Sequence, residues 1–205
     1  CLIGSIYGAD IALQTASRFP SRVASVVAVH PLSHIKGFND HDTRERMSDV
    51  VGRAPDAGYR ELALAIPSRV HDQGLVDWFV RAGRLGASPK AAMEFWSAIM
   101  RPNDLRDRLG GIEAPVMLIQ RRDYTGGFPE IVEAQREAAA RIPNGHLVVL
   151  EGADLVVNAG DIDALVFEVA EFLAGGRSAS APTRPLAALL FPDLVGSTEA
   201  ARLRG

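Results

Sequence analysis

The sequence predicts an α/β fold built on a parallel sheet. The chain opens with an apolar segment at 1–4, a helical pattern at 8–18 and a second apolar run at 23–29, which together read as strand, helix and strand. Strand–helix alternation resumes between 114 and 173. A helix between two buried strands is the usual connection of a parallel pair, so we expect right-handed βαβ units.

The elements of the first half carry clear local signals. Pro20 ends the first helix, and the β-branched run VASVVAV at 23–29 predicts a strand covered on both faces. A helical region extends to about 109, with apolar residues at spacings of three or four and a Ser88-Pro89 helix start. Its apolar residues include Leu75, Trp78, Phe79, Ala82, Leu85, Phe95 and Trp96.

The second half repeats the alternation. APVMLIQ at 114–120 and HLVVL at 146–150 predict strands, and Pro129 predicts the start of a helix that ends near Arg141. The last helix of this unit is expected at 161–173. Its predicted inward residues are Ile162, Leu165, Val166, Val169 and Phe172.

Composition excludes several functional classes. The 205 residues carry a formal net charge of -3, which argues against nucleic-acid binding through bulk charge. The single cysteine, Cys1, excludes an internal disulfide framework and is compatible with a reducing cytosol. No apolar run has membrane-spanning length, so we expect a cytoplasmic protein that does not bind membranes. Both ends interrupt structural patterns, and we expect the chain to be a fragment.

The stretch GSIYG at 4–8 has the outline of a nucleophile elbow, a tight turn from a strand into a helix. The residues two before and two after the apex must be small, because the backbone folds back closely there. Gly4 and Gly8 meet this demand only if Ile6 is the apex. Isoleucine cannot attack a carbonyl, so the motif predicts an elbow without its nucleophile.

In this context the chain resembles the α/β-hydrolase superfamily over residues 1–176. The resemblance rests on the elbow, the following ASRFPSRVASVVAVHP, a cap at about 31–110 and the returning strands and helices. It implies the C-terminal half of that fold, parallel strands with a helical cap, and an N-terminal part that is missing. It also implies that the backbone N–H of Tyr7 lies at an oxyanion-hole position.

The resemblance identifies the other triad positions. The acid position falls in QRRDYT, at Tyr124 or at Asp123 if the loop is one residue shorter. The histidine position, in Gly152-Ala153-Asp154-Leu155, holds Leu155. Without an imidazole no general base activates a hydroxyl, so we predict that the hydrolase chemistry is lost.

A second motif lies near the end of the chain. LLFPDLVGST runs from 189 to 198 and places Asp193 after an apolar strand, followed by a Gly-Ser-Thr helix start. The aspartate suits Mg²⁺ or Mn²⁺, and a helix N-terminus favours phosphate oxygens. The stretch resembles the opening of class III nucleotide cyclase domains. The resemblance implies metal ligands at Asp193 and the Leu194 carbonyl, and phosphate binding by Gly196, Ser197 and Thr198.

These motifs predict a domain order of hydrolase-like domain at 1–176, linker at 177–184 and the start of an α+β cyclase domain at 185–205. The leading hypothesis is a class III adenylate or guanylate cyclase, which binds a nucleoside triphosphate and dimerises through its cyclase domain. Its hydrolase-like part would be an inactive sensor of a small apolar ligand. The alternatives are an active hydrolase that uses Ser5 with Asp123 or His30, and a non-enzymatic small-ligand-binding module.

Overall fold

The computed structural model describes most of the first 175 residues. The described residues are 1–32, 34–35, 66–86, 88, 90–91, 94, 98, 104–124 and 129–175. The predicted linker at 177–184 and the predicted domain at 185–205 lie outside them.

Four parallel strands form one sheet. They are β1 (Leu2–Ser5), β2 (Val26–Val29), β3 (Val116–Arg121) and β4 (Gly145–Leu150). Their order in the sheet follows the chain, β1-β2-β3-β4, and every neighbouring pair is parallel. The predicted α/β class with a parallel sheet is confirmed.

Four α-helices that accompany the sheet have described bounds. They are α1 (Tyr7–Arg18), α2 (Gln73–Gly86), α3 (Ile131–Arg141) and α4 (Ile162–Leu173). A 3₁₀ turn at Pro20–Arg22 follows α1, which accounts for the end predicted at Pro20. Helix α3 begins two residues after Pro129, because that proline lies in the preceding turn.

The sheet has a core on each face. Ala9, Leu13 and Ala16 of α1 pack with Val26, Val116 and Leu118 on one side, together with α3. On the other side Val27, Val29 and Ile119 pack against α4. All residues of β2 and β3 are buried. β2 and the first four residues of β3 form continuous apolar runs, whereas β3 ends in the polar Gln120 and Arg121.

Helix α4 covers only part of the sheet. Asp161 caps its N-terminus by accepting a hydrogen bond from the Ala164 N–H at 2.9 Å. Leu165, Val169 and Phe172 pack on the core as predicted, but Ile162 and Val166 are 42% and 55% exposed. The described strands therefore cover only part of the apolar face of α4, and the rest of that face is exposed.

Helix α2, which lies in the segment predicted to form a cap, differs from its sequence prediction in packing. None of its residues is buried, and Trp78 and Leu85 are 58% and 81% exposed. Their periodicity correctly predicted a helix, but it did not predict burial of these two side chains. Ser88 Oγ accepts from the Ala91 N–H at 3.2 Å, the capping contact expected for the next helix, whose Phe95 and Trp96 lie outside the described residues. In the described part of the chain no helix is long and apolar enough to cross a membrane.

Candidate functional site

The turn between β1 and α1 has the backbone of a strained elbow. Ile6 stands at its apex with φ 55° and ψ -116°. Its N–H donates to the Val29 carbonyl at 2.8 Å, and its carbonyl accepts from the Ala9 and Asp10 N–H groups. A β-branched residue rarely adopts positive φ, and the strain costs on the order of 1–3 kcal/mol. The surrounding structure therefore holds an aliphatic side chain at the strained apex, the position predicted for a nucleophile.

The two glycines of the elbow are not equivalent. A Cβ at Gly4 would lie 2.2 Å from the Gly8 carbonyl oxygen and 2.6 Å from the Ala9 nitrogen, so only glycine fits. A Cβ at Gly8 would meet nothing within 4 Å. The expectation that both positions must be small is therefore correct for Gly4 and wrong for Gly8, which is exposed on the first turn of α1.

The apex side chain belongs to an apolar cluster at the carboxyl edge of the sheet, which we call the apex cluster. Its buried residues are Leu32, Ile35 and Ile131, and Ile6, Tyr7 and Tyr124 pack against them. Asp10 Oδ1 accepts from the Leu32 N–H at 3.0 Å and so ties the segment after β2 to α1. The position predicted for the nucleophile is therefore lined by aliphatic and aromatic groups.

Two phenols border the apex. Burial, aided by the charge of Asp10 and by Tyr124, raises the pKa of Tyr7 well above its usual value. Burial also raises the pKa of Tyr124. Both hydroxyls are therefore protonated at neutral pH and can donate hydrogen bonds. Tyr7 begins α1, so its backbone N–H belongs to the first helical turn, where the helix itself supplies no acceptor.

His30 lies at the same edge, directly after β2. It is 1% exposed, has φ 52°, and its Nδ1 is 3.2 Å from Gln120 Oε1. Its ring meets the Tyr124 ring edge-on at 5.1 Å between centroids. Burial lowers the pKa of His30 to about 4, and Arg121 lowers it further while Gln120 opposes the shift. His30 is thus a neutral imidazole fixed beside Tyr124.

The two candidates for the acid position lie in different environments. Asp123 is exposed, and its N–H donates to the Gly152 carbonyl at 3.0 Å. Tyr124 is half-buried in the apex cluster, and its carbonyl accepts from Gln120 Nε2 at 3.0 Å. The side chain that faces the apex is therefore the phenol, while the carboxylate of Asp123 is in solvent.

Leu155, at the histidine position, is 8% exposed. Its neighbour Asp154 is 3% exposed and accepts from the Ser68 N–H at 3.0 Å. Arg121, also buried, donates to the Glu151 and Ala159 carbonyls. Arg121 is not among the predicted site residues, although an arginine at the end of an apolar strand is an available signal.

Ser5 is not paired with either of the two residues proposed as its base, His30 and Asp123. Ile3 and Ser5 line an apolar groove of about 450 Å³ against α4, whereas His30 contacts Tyr124, which packs in the apex cluster with α3 residues. Within the described residues Ser5 makes no hydrogen bond to His30 or Asp123. The Ser5-based triad is therefore not assembled in this structure.

The other histidines do not form a metal site in the described part of the chain, which holds no metal-binding group of three or more His, Cys, Asp or Glu. His146 is exposed on β4 beside Phe172, with ring centroids 5.3 Å apart. His34 is 4% exposed and lines a different cavity. The predicted metal and phosphate residues are outside the described residues, so they remain untested. They are Asp193, Leu194, Gly196, Ser197 and Thr198.

Solved structures of other proteins show the same fold. An esterase from Thermogutta terrifontis matches with a TM-score of 0.64 at 19% identity, over 85% of this chain and 64% of the esterase. A hydrolase from Oleispira antarctica matches at 0.67 and 18%, over 84% and 64%. A bromoperoxidase from Bacillus anthracis matches at 0.69 and 19%, over 84% and 66%. No family model matches the chain, and no curated protein matches it significantly.

These likenesses establish an α/β-hydrolase fold for the chain, which spans 64% of the length of the first two structures. They also correct the main functional prediction. The matching structures include an esterase, an enol-lactonase and other hydrolases, and they cover most of this chain. The ten-residue motif that suggested a cyclase has no such support. The prediction of a class III cyclase with an inactive sensor domain is therefore wrong, as are its lyase and cyclic-nucleotide signalling roles.

Proposed function

We propose that the carboxyl edge of this α/β-hydrolase fold binds a small, uncharged and largely apolar molecule without forming a covalent intermediate at the elbow. The observation that carries the proposal is Ile6, whose aliphatic side chain packs in the apex cluster at the strained apex. A carbon side chain has no lone pair to attack a carbonyl, so the elbow offers contact area instead of a nucleophile.

The polar groups around the apex support an uncharged ligand. His30 is neutral and both phenols are protonated. These three groups can therefore form hydrogen bonds with a ligand, but they carry no charge that would balance a charged ligand. Burying an ion beside them would cost several kcal/mol of desolvation. A carbonyl or hydroxyl oxygen on an apolar body fits the Tyr124 donor.

Hydrolysis is the second candidate, and the comparisons favour it. The matching structures include hydrolases, and the elbow backbone of this chain is kept in its strained form. A hydrolase of this fold would need Ser5 as nucleophile. Its base would have to come from His30 or Asp123 after a rearrangement, because Ser5 has no hydrogen bond to either residue.

A chromogenic ester separates the two functions in the full-length protein. With p-nitrophenyl butyrate we expect binding, detected by saturation-transfer NMR, and no release of p-nitrophenol above the buffer rate. Ile6→Asp places a carboxylate in the apex cluster and should weaken binding at least about tenfold, since an unpaired charge there is costly. Aspartate tolerates positive φ better than isoleucine, so the elbow is expected to fold.

The matched control is Ile11→Asp on α1, where the side chain is 62% exposed and binding should be unchanged. Release of p-nitrophenol that Ser5→Ala abolishes would establish the hydrolase instead. Equal binding by the wild type and the Ile6→Asp variant would show that the ester does not bind at the apex, and the proposal would fail.

A further inference from the structure

A second cavity, separate from the apex, lies between one side of α3 and the segments 34–35 and 104–109. We call it the α3 cavity; its volume is about 210 Å³, roughly the space of seven water molecules. Its apolar lining comes from Ile35, Leu109, Ala134 and Ala138. Ile35 also belongs to the apex cluster, so the cavity borders the first site without sharing its apex.

His34 is the polar group inside this cavity. It lines the space, is 4% exposed, and neither of its ring nitrogens has a hydrogen-bond partner among the described residues. Burial lowers the pKa of His34 to about 4; nearby Asp104 opposes the shift and Arg141 adds to it. The imidazole is therefore neutral, with one N–H donor and one bare nitrogen acceptor. A buried polar group without a partner costs about 1–3 kcal/mol, so its occurrence needs an explanation.

Gln135 adds a second acceptor next to the imidazole. Its Oε1 is buried and lacks a partner within the described structure, while its Nε2 donates to the Pro31 carbonyl at 2.8 Å. Gln135 is close enough to act on the pKa of His34, but the two side chains do not form a hydrogen bond of normal geometry. Of these two residues His34 lines the cavity, so its bare ring nitrogen is the acceptor that suits a ligand with N–H donors.

Carboxylates predominate at the rim of the cavity. Glu130, Glu133 and Glu137 lie along α3, against Arg106 and Arg141. Glu133 pairs with Arg136 at 3.3 Å, and Arg106 pairs with Asp104. Glu130, Glu137 and Arg141 form no ion pair among the described residues, and their charges sum to one negative.

From this geometry we propose that the α3 cavity binds a small organic cation with N–H donors, an amine or an amidine. One N–H group donates to the acceptor nitrogen of His34, and the positive charge lies near Glu130 and Glu137. The apolar lining contacts the carbon body of the ligand. This inference does not rest on the function proposed for the apex.

Three isosteric probes test the charge and donor requirements in the full-length protein. Benzamidine is a cation, benzamide is neutral and benzoate is an anion, and all three fit a space of this size. By isothermal titration calorimetry we expect benzamidine to bind at least about fivefold more tightly than benzamide, because a charged donor forms stronger hydrogen bonds. Benzoate should not bind. Benzoate binding as tightly as benzamidine, or binding of none of the three, would overturn the proposal.

Surface variants locate the binding without disturbing the core. Glu137→Gln should weaken benzamidine binding about threefold, and Arg141→Gln should strengthen it by a similar factor. Both effects should be small, because both charges are exposed and screened by solvent. Asp163→Asn, an exposed carboxylate on α4, is the control and should change nothing. If Glu137→Gln and Arg141→Gln act like the control, the cation is not bound here.

An internal variant tests the imidazole. His34→Leu should weaken both benzamidine and benzamide, because it removes both ring nitrogens, and thermal unfolding establishes that the variant is folded. Unchanged binding by a folded His34→Leu variant would contradict the proposed hydrogen bond. Ile6→Asp should leave benzamidine binding intact, which distinguishes this site from the apex.

Discussion

In the elbow, backbone packing requires glycine at position 4, whereas the isoleucine at position 6 is explained by its side-chain contacts. Gly4 is required because any Cβ there would collide with the Gly8 carbonyl. Ile6 is not required by its backbone, since positive φ is unfavourable for a β-branched side chain. Its presence is explained by the apolar contacts it makes in the apex cluster.

The two glycines give a matched pair of substitutions. Gly4→Ala should destabilise the full-length protein by about 3 kcal/mol or more, because a rigid backbone surrounds the added methyl group. Gly8→Ala should stabilise it by about 0.5–1 kcal/mol, because alanine loses less entropy in a helix. Urea denaturation measures both. Equal effects of the two substitutions would contradict the close approach at Gly4.

At the scale of elements, buried polar side chains fix the loop that follows β4 and carries Leu155, the residue at the predicted histidine position. Asp154 Oδ2 and Arg121 Nη1 converge on Gly160, lying 2.6 Å and 2.8 Å from the position a Cβ would take there. Gly160 has φ 69°, so glycine is needed for both backbone and space. Through the Ser68 N–H, Asp154 also joins this loop to the cap segment that precedes α2.

This arrangement predicts a large effect from Asp154→Ala. The substitution removes the acceptor of Ser68 and a carboxylate near the buried Arg121, and should cost about 2–4 kcal/mol of unfolding free energy. Hydrogen exchange at the Ser68 amide should accelerate. Asp123→Ala is the control, because its exposed carboxylate should contribute within about 0.5 kcal/mol. Similar losses from both variants would contradict the buried role of Asp154.

The elements show what the sequence could and could not predict. The strands were predictable because β2 and β3 are buried on both faces, and Asp161 was an identifiable helix start. The exposure of Trp78 was not, since periodicity defines a face of a helix without defining what covers it. The elbow position followed from glycine spacing, but spacing alone does not show which Cβ would collide.

At the scale of the whole molecule, the carboxyl edge gathers polar residues from the ends of three of the four described strands. His30 follows β2, Gln120 and Arg121 end β3, and Asp154 follows β4. Their pairings join residues distant in sequence, as with His30 and Gln120, so no local pattern predicts them. His34 illustrates the same limit: it lies in a polar stretch without periodicity, and only the fold reveals its burial.

Two buried histidines make stability depend on pH. The pKa of His30 and that of His34 are each lowered to about 4 from 6.5. Between these values the unfolded chain binds more protons, so stability rises with pH and is lost as pH falls from about 6.5 through about 4. Between pH 7 and pH 5 each histidine should lower the free energy of unfolding by about 2 kcal/mol.

Urea denaturation of the full-length protein at pH 7 and pH 5 measures this loss. His30→Asn should remove about half of it, because asparagine tolerates positive φ and does not titrate. Asp104 should not contribute to the change in stability between pH 7 and pH 5, because the hydrogen bond and charge of Arg106 hold its pKa below 3.8. His146→Asn, an exposed control on β4, should leave the loss unchanged. A wild-type protein equally stable at both pH values would mean that these two histidines are protonated without unfolding the domain, and hence that neither is held neutral by burial.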